Sequence, residues 1–173
     1  MGYVSVDVES DGPVPGLFSM VSFGAVWVAP GLHTTFYGET RPISEKWNPD
    51  ALAISGASRE QHLGYEDPTL VMQRFARWLA DRKSRRLVFI SDNNGYDWSF
   101  INYYFHRYTG SNPFGFSSQN LGSLYKGLVK DTFASFKHLR KTTHTHHPVD
   151  DAKGNAEALL AMRDELGLKL SLD

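Results

Sequence analysis

The chain opens on alternating apolar positions, Val4, Val6 and Val8 within residues 3–8, closed by the turn sequence Ser10-Asp11-Gly12-Pro13. A period of two followed by such punctuation predicts a short strand. Residues 18–28 are longer and almost wholly apolar, the pattern of a strand covered on both faces. Pro30-Gly31 then turns the chain, and residues 32–38 predict a third strand, completing a meander. Helical periodicity starts after residue 66. Asp67-Pro68 offers an N-cap and a first-turn proline, and Leu70, Val71, Phe75, Trp78 and Leu79 recur at helical spacing. Residues 87–90 predict a fourth strand, residues 96–108 a second helix and residues 148–166 a third. The stretch between the last two helices is dotted with glycine and serine and predicts one weaker helix over residues 118–129. This order of elements predicts a single α/β domain over residues 1–173, built on a mixed sheet.

Composition narrows the function classes. Hydrophobic residues make up 41% and charged residues 21%, as in an ordinary globular chain. With no cysteine, thiolate catalysis, disulfides and cysteine-ligated zinc are excluded. No apolar run reaches the roughly 18 residues of a membrane span, and no signal peptide opens the chain, so a cytoplasmic location without membrane contact is expected. The net charge is −1, yet it is unevenly spread. From Lys126 to His147 five cations (Lys126, Lys130, Lys137, Arg140 and Lys141) face Asp131 alone, with four histidines among them. Such a segment suits a polyanion, or simply a solvated face.

Three places put acids where burial is expected. Asp7 and Glu9 lie two apart at the end of the first strand, so both carboxylates project from one face at a strand's carboxyl end. Like charges this close need a neutralising partner, and oxygen-only ligands suit magnesium or manganese. Asp97 has Phe100, Ile101, Tyr104, Phe105 and Tyr108 at offsets of 3, 4, 7, 8 and 11, so it begins the apolar stripe of its helix. A favourable helix-dipole position would also account for it. In His146-His147-Pro148-Val149-Asp150-Asp151, helical phase sets Asp151 at the border of the buried face and Asp150 nearer solvent.

Asp7-Val8-Glu9-Ser10-Asp11-Gly12, Asn93-Asn94-Gly95-Tyr96-Asp97 and His146-x4-Asp151 together resemble the three motifs of the DEDDh exonucleases, the group of proofreading exonucleases, ribonuclease T and oligoribonuclease. The resemblance runs from residue 3 to about residue 165 and includes residues 48–61, similar to the family's segment before its first long helix. It implies a ribonuclease H-like α/β fold with a mixed five-stranded sheet flanked by helices. It further implies 3′→5′ exonuclease chemistry with two Mg2+ or Mn2+ ions held by Asp7, Glu9, Asp97 and Asp151, and His146 as general base. Two ions about 3.5–4 Å apart would clamp the attacking water and the departing 3′ oxygen. Ser10, Asp11, Gly12 and Asn93 are the implied substrate-binding residues. The implied partner is single-stranded RNA or DNA, or a short oligonucleotide, with a free 3′ end, and a homodimer is left open. The sequence departs from the pattern at Asp92, where relatives often carry histidine, and at Ser10, where threonine is common. His147 is a second histidine beside His146, and residues 112–140 match poorly. For stacking bases the candidates are Trp98, Phe114, Phe116 and Tyr125, though core packing is the commoner role for each, and for phosphates Lys126, Lys130, Lys137, Arg140 and Lys141.

Overall fold

The computed structural model describes residues 1–172. The first strand, β1 (Gly2–Ser10), buries Val4, Val6 and Val8 on one face and Tyr3 and Ser5 on the other. It is followed by β2 (Met20–Trp27), buried along its whole length as its composition requires, and by β3 (Thr35–Glu39). Two short helices come next, α1 (Pro49–Ile54) and α2 (Arg59–Leu63). The chain continues through α3 (Pro68–Ala80), β4 (Leu87–Ser91), α4 (Asn94–Thr109), β5 (Ser118–Asn120) and α5 (Leu121–Val129). A single 3-10 turn at Lys137–Leu139 precedes α6 (Pro148–Leu166).

The strands form one mixed sheet in the order β3-β2-β1-β4-β5, with β1, β4 and β5 parallel and β2 and β3 antiparallel to their neighbours. Hydrophobic clusters fill both faces: α3 and α4 cover one, α5 and α6 the other. The mixed five-stranded α/β architecture is the one the motifs implied. Because β1, β4 and β5 run the same way, their carboxyl ends share one edge, and α4 and α5 both start there.

Three expectations need correction. The first residues of the anticipated weak helix, Ser118–Asn120, instead form β5, and Asn120 caps α5 through its side chain. The third strand begins at Thr35 rather than residue 32, because Leu32 adopts a left-handed conformation in the turn (φ 49°). Helix starts before residue 66, in α1 and α2, capped by Asn48 and Ser58 but too short to show periodicity.

One close approach sets the relation of α6 to the sheet. Gly24 on β2 stands directly opposite Asp7 on β1. A Cβ on Gly24 would run into the backbone of Pro148 and Val149, the first turn of α6. Only glycine lets that turn lie against the sheet, and so lets Asp151 reach the face that carries Asp7. Gly24→Ala is therefore expected to lower stability by about 1–3 kcal/mol, as overpacking against rigid backbone does. Denaturant unfolding would read this as a lower midpoint at an unchanged slope; a midpoint equal to the parent's would refute the close packing.

Candidate functional site

Asp7 and Glu9 project toward α6, and carboxylate oxygens of Asp7, Glu9 and Asp151 lie within 4.8 Å of one another. Asp151 is 2% exposed in the first turn of α6, while Asp150 turns outward and accepts a hydrogen bond from Thr145 Oγ1 at 3.0 Å. Asp97, also 2% exposed, comes from the first turn of α4. It stands beside this trio and is tied to β1, its Oδ1 accepting the Val8 amide at 3.1 Å. The other Asp151 oxygen, Oδ2, is buried with no hydrogen-bond partner among the described residues. A buried anion oxygen without a donor is costly unless a cation completes it. The donor set, all hard oxygens, fits magnesium or manganese.

The electrostatics point the same way. Burial, with the charges of Asp97, Glu9 and Asp151, pushes the Asp7 carboxyl well above its ordinary range, against the opposing pull of Arg140. Burial and Asp151 lift Glu9 to about 7, and burial lifts Asp97 to about 8. Arg140 is the cation built against this cluster. Its side chain, 10% exposed, lies over the Phe136 ring, donates to Asp92 Oδ2 at 3.2 Å and hydrogen-bonds Asn155 Oδ1. Asp92 is thus paired with Arg140, while its charge adds to those that raise Asp97. Among the five cations of residues 126–147, Arg140 is thus turned inward, and no sequence pattern marks it for that role.

The loop after β1 is braced from inside. Ser10 Oγ bonds Tyr96 Oη and donates to the Gly12 carbonyl at 2.5 Å, so the β1 end and the start of α4 are fastened together. The fully buried Asp11 accepts from the Ser19 amide at 2.5 Å and from Arg59 Nη1 at 2.8 Å. His62 sits against the same carboxylate, its imidazole held neutral by burial and by Arg59, which lower its pKa to about 4. The Asp11 side chain is therefore committed to α2. Its backbone is committed too, the amide donating to the Ser19 carbonyl at 2.9 Å and the carbonyl accepting from the Asn48 amide at 2.7 Å, so the buried Ser10, Asp11 and Gly12 brace the site from within. Asn93, at the N-cap of α4, is exposed and makes no side-chain cap bond.

The histidines sit on the segment leading into α6. That segment is tied back to α6 at two places ahead of His146: Glu157 accepts the amides of Lys141 at 2.8 Å and Thr142 at 2.7 Å, and Asp150 accepts from Thr145 Oγ1. Between these anchors His144 Nδ1 meets Asp151 Oδ1 at 2.5 Å. His146, with a left-handed backbone (φ 59°), packs edge-on against His144 at 4.3 Å between ring centroids. His147 is drawn away, stacked on Tyr37 at 5.0 Å. No sequence signal marks His144, which lies seven residues before Asp151. Of the stacking candidates, Phe114 and Tyr125 are in the core, Trp98 is half-buried against Phe89, and Phe116 is 99% exposed.

No family model matches the chain. It is, however, 38% identical to the 3′-5′ DNA exonuclease Cap18 of Escherichia coli, over 99% of this chain and 96% of that protein. The chain belongs to the DnaQ-like 3′-5′ exonuclease family. These exonucleases are phosphodiester hydrolases and metal-dependent. The fold is also that of cell-death related nuclease 4 (CRN-4), with a TM-score of 0.75 at 14% identity over 94% of this chain. Exonuclease I of Escherichia coli, crystallised with a dA16 oligonucleotide, gives 0.72 at 15% identity over 95% of this chain. The chain spans 64% of the CRN-4 chain and 41% of the exonuclease I chain. No helix among the described residues is long and apolar enough to cross a membrane.

The raised carboxyls make metal-free stability depend on pH. Glu9 and Asp97 bind protons more tightly folded than unfolded, so their contribution is complete below the unfolded values, about 4. It is lost as pH rises through about 7 for Glu9 and about 8 for Asp97. In EDTA the melting temperature should therefore fall between about pH 5 and about pH 8.5, and manganese should flatten the curve. A metal-free melting temperature that climbs over this interval would contradict the carboxylate cluster.

Proposed function

We propose that the chain shortens single-stranded DNA from a free 3′ end, with Asp7, Glu9, Asp97 and Asp151 holding two Mg2+ or Mn2+ ions and His146 acting as general base. The observation that carries this reading is the convergence of Asp7, Glu9 and Asp151 oxygens within 4.8 Å around an unpartnered Asp151 Oδ2. The spacing His146-x4-Asp151 supports the choice of base. Cap18, a DNA exonuclease by name, favours DNA over RNA as substrate.

Bound divalent cations would supply an activated water and offset the charge that gathers on the phosphate. The chain's own part is positional. The Val8 amide orients Asp97, and the first turn of α6 delivers Asp151 against Asp7 and Glu9. Ser10, Asp11 and Gly12, buried and stiffened by the Ser10–Tyr96 bond, shape the wall against which the terminal nucleotide rests, and the exposed Asn93 amide offers it a polar group. An imidazole nitrogen of His146 accepts the proton of the attacking water, a task for which histidine is the side chain best suited near neutral pH. His146 is close enough, with its ligand nitrogen within 4.8 Å of those of His144 and Asp151. The direct contact of His144 with Asp151 favours one rival, in which His144 is the base.

On 5′-labelled single-stranded DNA with magnesium or manganese, stepwise shortening from the 3′ end is expected. Asp7→Ala should abolish it, and His146→Ala should slow it by about 10²–10⁴-fold. Activity retained in His146→Ala and lost in His144→Ala would transfer the base to His144. Fragments released from a circular strand would overturn the exonuclease reading, and faster trimming of RNA would overturn the preference for DNA.

A further inference from the structure

Beyond Asp92, along the edge where the acids gather, the surface changes character. Two shallow pockets of about 230 and 470 Å3 adjoin at Lys126 on α5. The first is lined by Asp92, Gly122, Phe133, Phe136 and Lys137, and the second runs along α5 to Lys130. In the first pocket Gly122 lies against its neighbours at ordinary contact distance: a Cβ there would stand 3.8 Å from the Phe136 ring and 3.9 Å from Asp92 Oδ1. Phe133 stands over this trough 95% exposed. It is not on a loose tip. Lys130 ends α5 in a left-handed turn, and Asp131 Oδ1 then accepts the Phe133 amide at 2.8 Å, holding the ring outward.

Charge completes the pattern. Lys126, Lys130 and Lys137 are exposed, and among the described residues no carboxylate forms an ion pair with any of them. The acids present are occupied: Asp92 is paired with Arg140, and Asp131 is bound to the turn. A presented aromatic ring with free cations on either side is what single-stranded nucleic acid needs, a face for a base and charges for its phosphates. The trough also begins at Asp92, adjacent in the chain to Asn93 at the start of α4, so a strand leaving the acids has it within reach. It belongs to the segment that matches the DEDDh pattern least.

We propose that this trough is an upstream strand-binding site: Phe133 stacks a base several nucleotides from the 3′ end, and Lys126, Lys130 and Lys137 take the phosphates around it. This rests on the exonuclease reading, because the strand must enter from the acid site. It makes grip on substrate depend on length: short oligonucleotides reach only the acids, longer ones also reach Phe133.

The test is fluorescence anisotropy on the full chain with magnesium, using 5′-labelled, phosphorothioate-protected thymidine strands of about three and about ten nucleotides. The parent should bind the longer strand more tightly. Phe133→Ala should reduce that advantage about tenfold, the loss of one stacked base, while Phe133→Tyr retains it. Lys126→Ala combined with Lys137→Ala should weaken the longer strand and lower the salt slope by about 0.7 per lysine. Arg85→Ala, which removes a charge before β4 at the opposite edge, should leave the length advantage at the parent's value. An advantage unchanged by Phe133→Ala and by the double lysine variant overturns the trough, as does an equal fall in Arg85→Ala. Trimming of unprotected strands separates the two ideas: if the parent trims 3′ ends, failure here touches the trough alone; a parent that does not trim fails the reading beneath it.

Discussion

The structure depends on one contact without a side chain: the first turn of α6 lying on β2 at Gly24. Strand β1 can supply only the acids that alternate on its own face, and α4 only those at its N-terminal turn. A third source has to come from the helix layer, and ordinary side chains between two layers would keep helix backbone well clear of strand backbone. Removing one Cβ lets helix backbone meet strand backbone opposite Asp7. The acids of three elements, distant in sequence, are then gathered at one edge. The apolar clusters on both faces keep those elements from parting, so site geometry and core packing are the same constraint seen from two sides.

Gathering negative charge in one place has an electrostatic cost, and the fold meets it in two ways. Asp7, Glu9 and Asp97 are driven toward their neutral forms when no cation is present. Arg140 supplies a permanent counter-charge from behind, fixed by Asp92, Asn155 and the Phe136 ring. A guanidinium suits this place better than an ammonium, because it can bond two oxygens at once and lie flat on an aromatic face. The acid at position 92 thus holds in place an arginine 48 residues away in the chain.

Most of the scaffold was legible in the sequence because its elements are long enough to show a period. The valines of β1, the apolar run of β2 and the stripes of α3, α4 and α6 each repeat over several turns or pleats. Helical phase also separated Asp151 from Asp150, and the apolar stripe of α4 foretold that Asp97 would be buried. What escaped was short or conformational. The sequence Ser-Gln-Asn of β5 has no apolar residue, and it is a strand only because β4 offers it an edge. The helices α1 and α2 are capped by Asn48 and Ser58 and bury one residue each, Leu52 and His62, too few to show a period. The approach of His144 to Asp151, the burial of Arg140 and the exposure of Phe133 follow from loop paths, which no periodicity encodes.

The segment that carries the histidines is stitched to α6 at two points before it joins the helix: Glu157 holds the amides of Lys141 and Thr142, and Asp150 holds Thr145. Like a strap with two stitches, it leaves two short loops rather than one long one. His144 lies in the loop between Thr142 and Thr145, and His146 in the loop between Thr145 and the first turn of α6 at Pro148. Each imidazole is therefore tethered on both sides by its own short span, and a residue inserted in one loop would displace the histidine of that loop first.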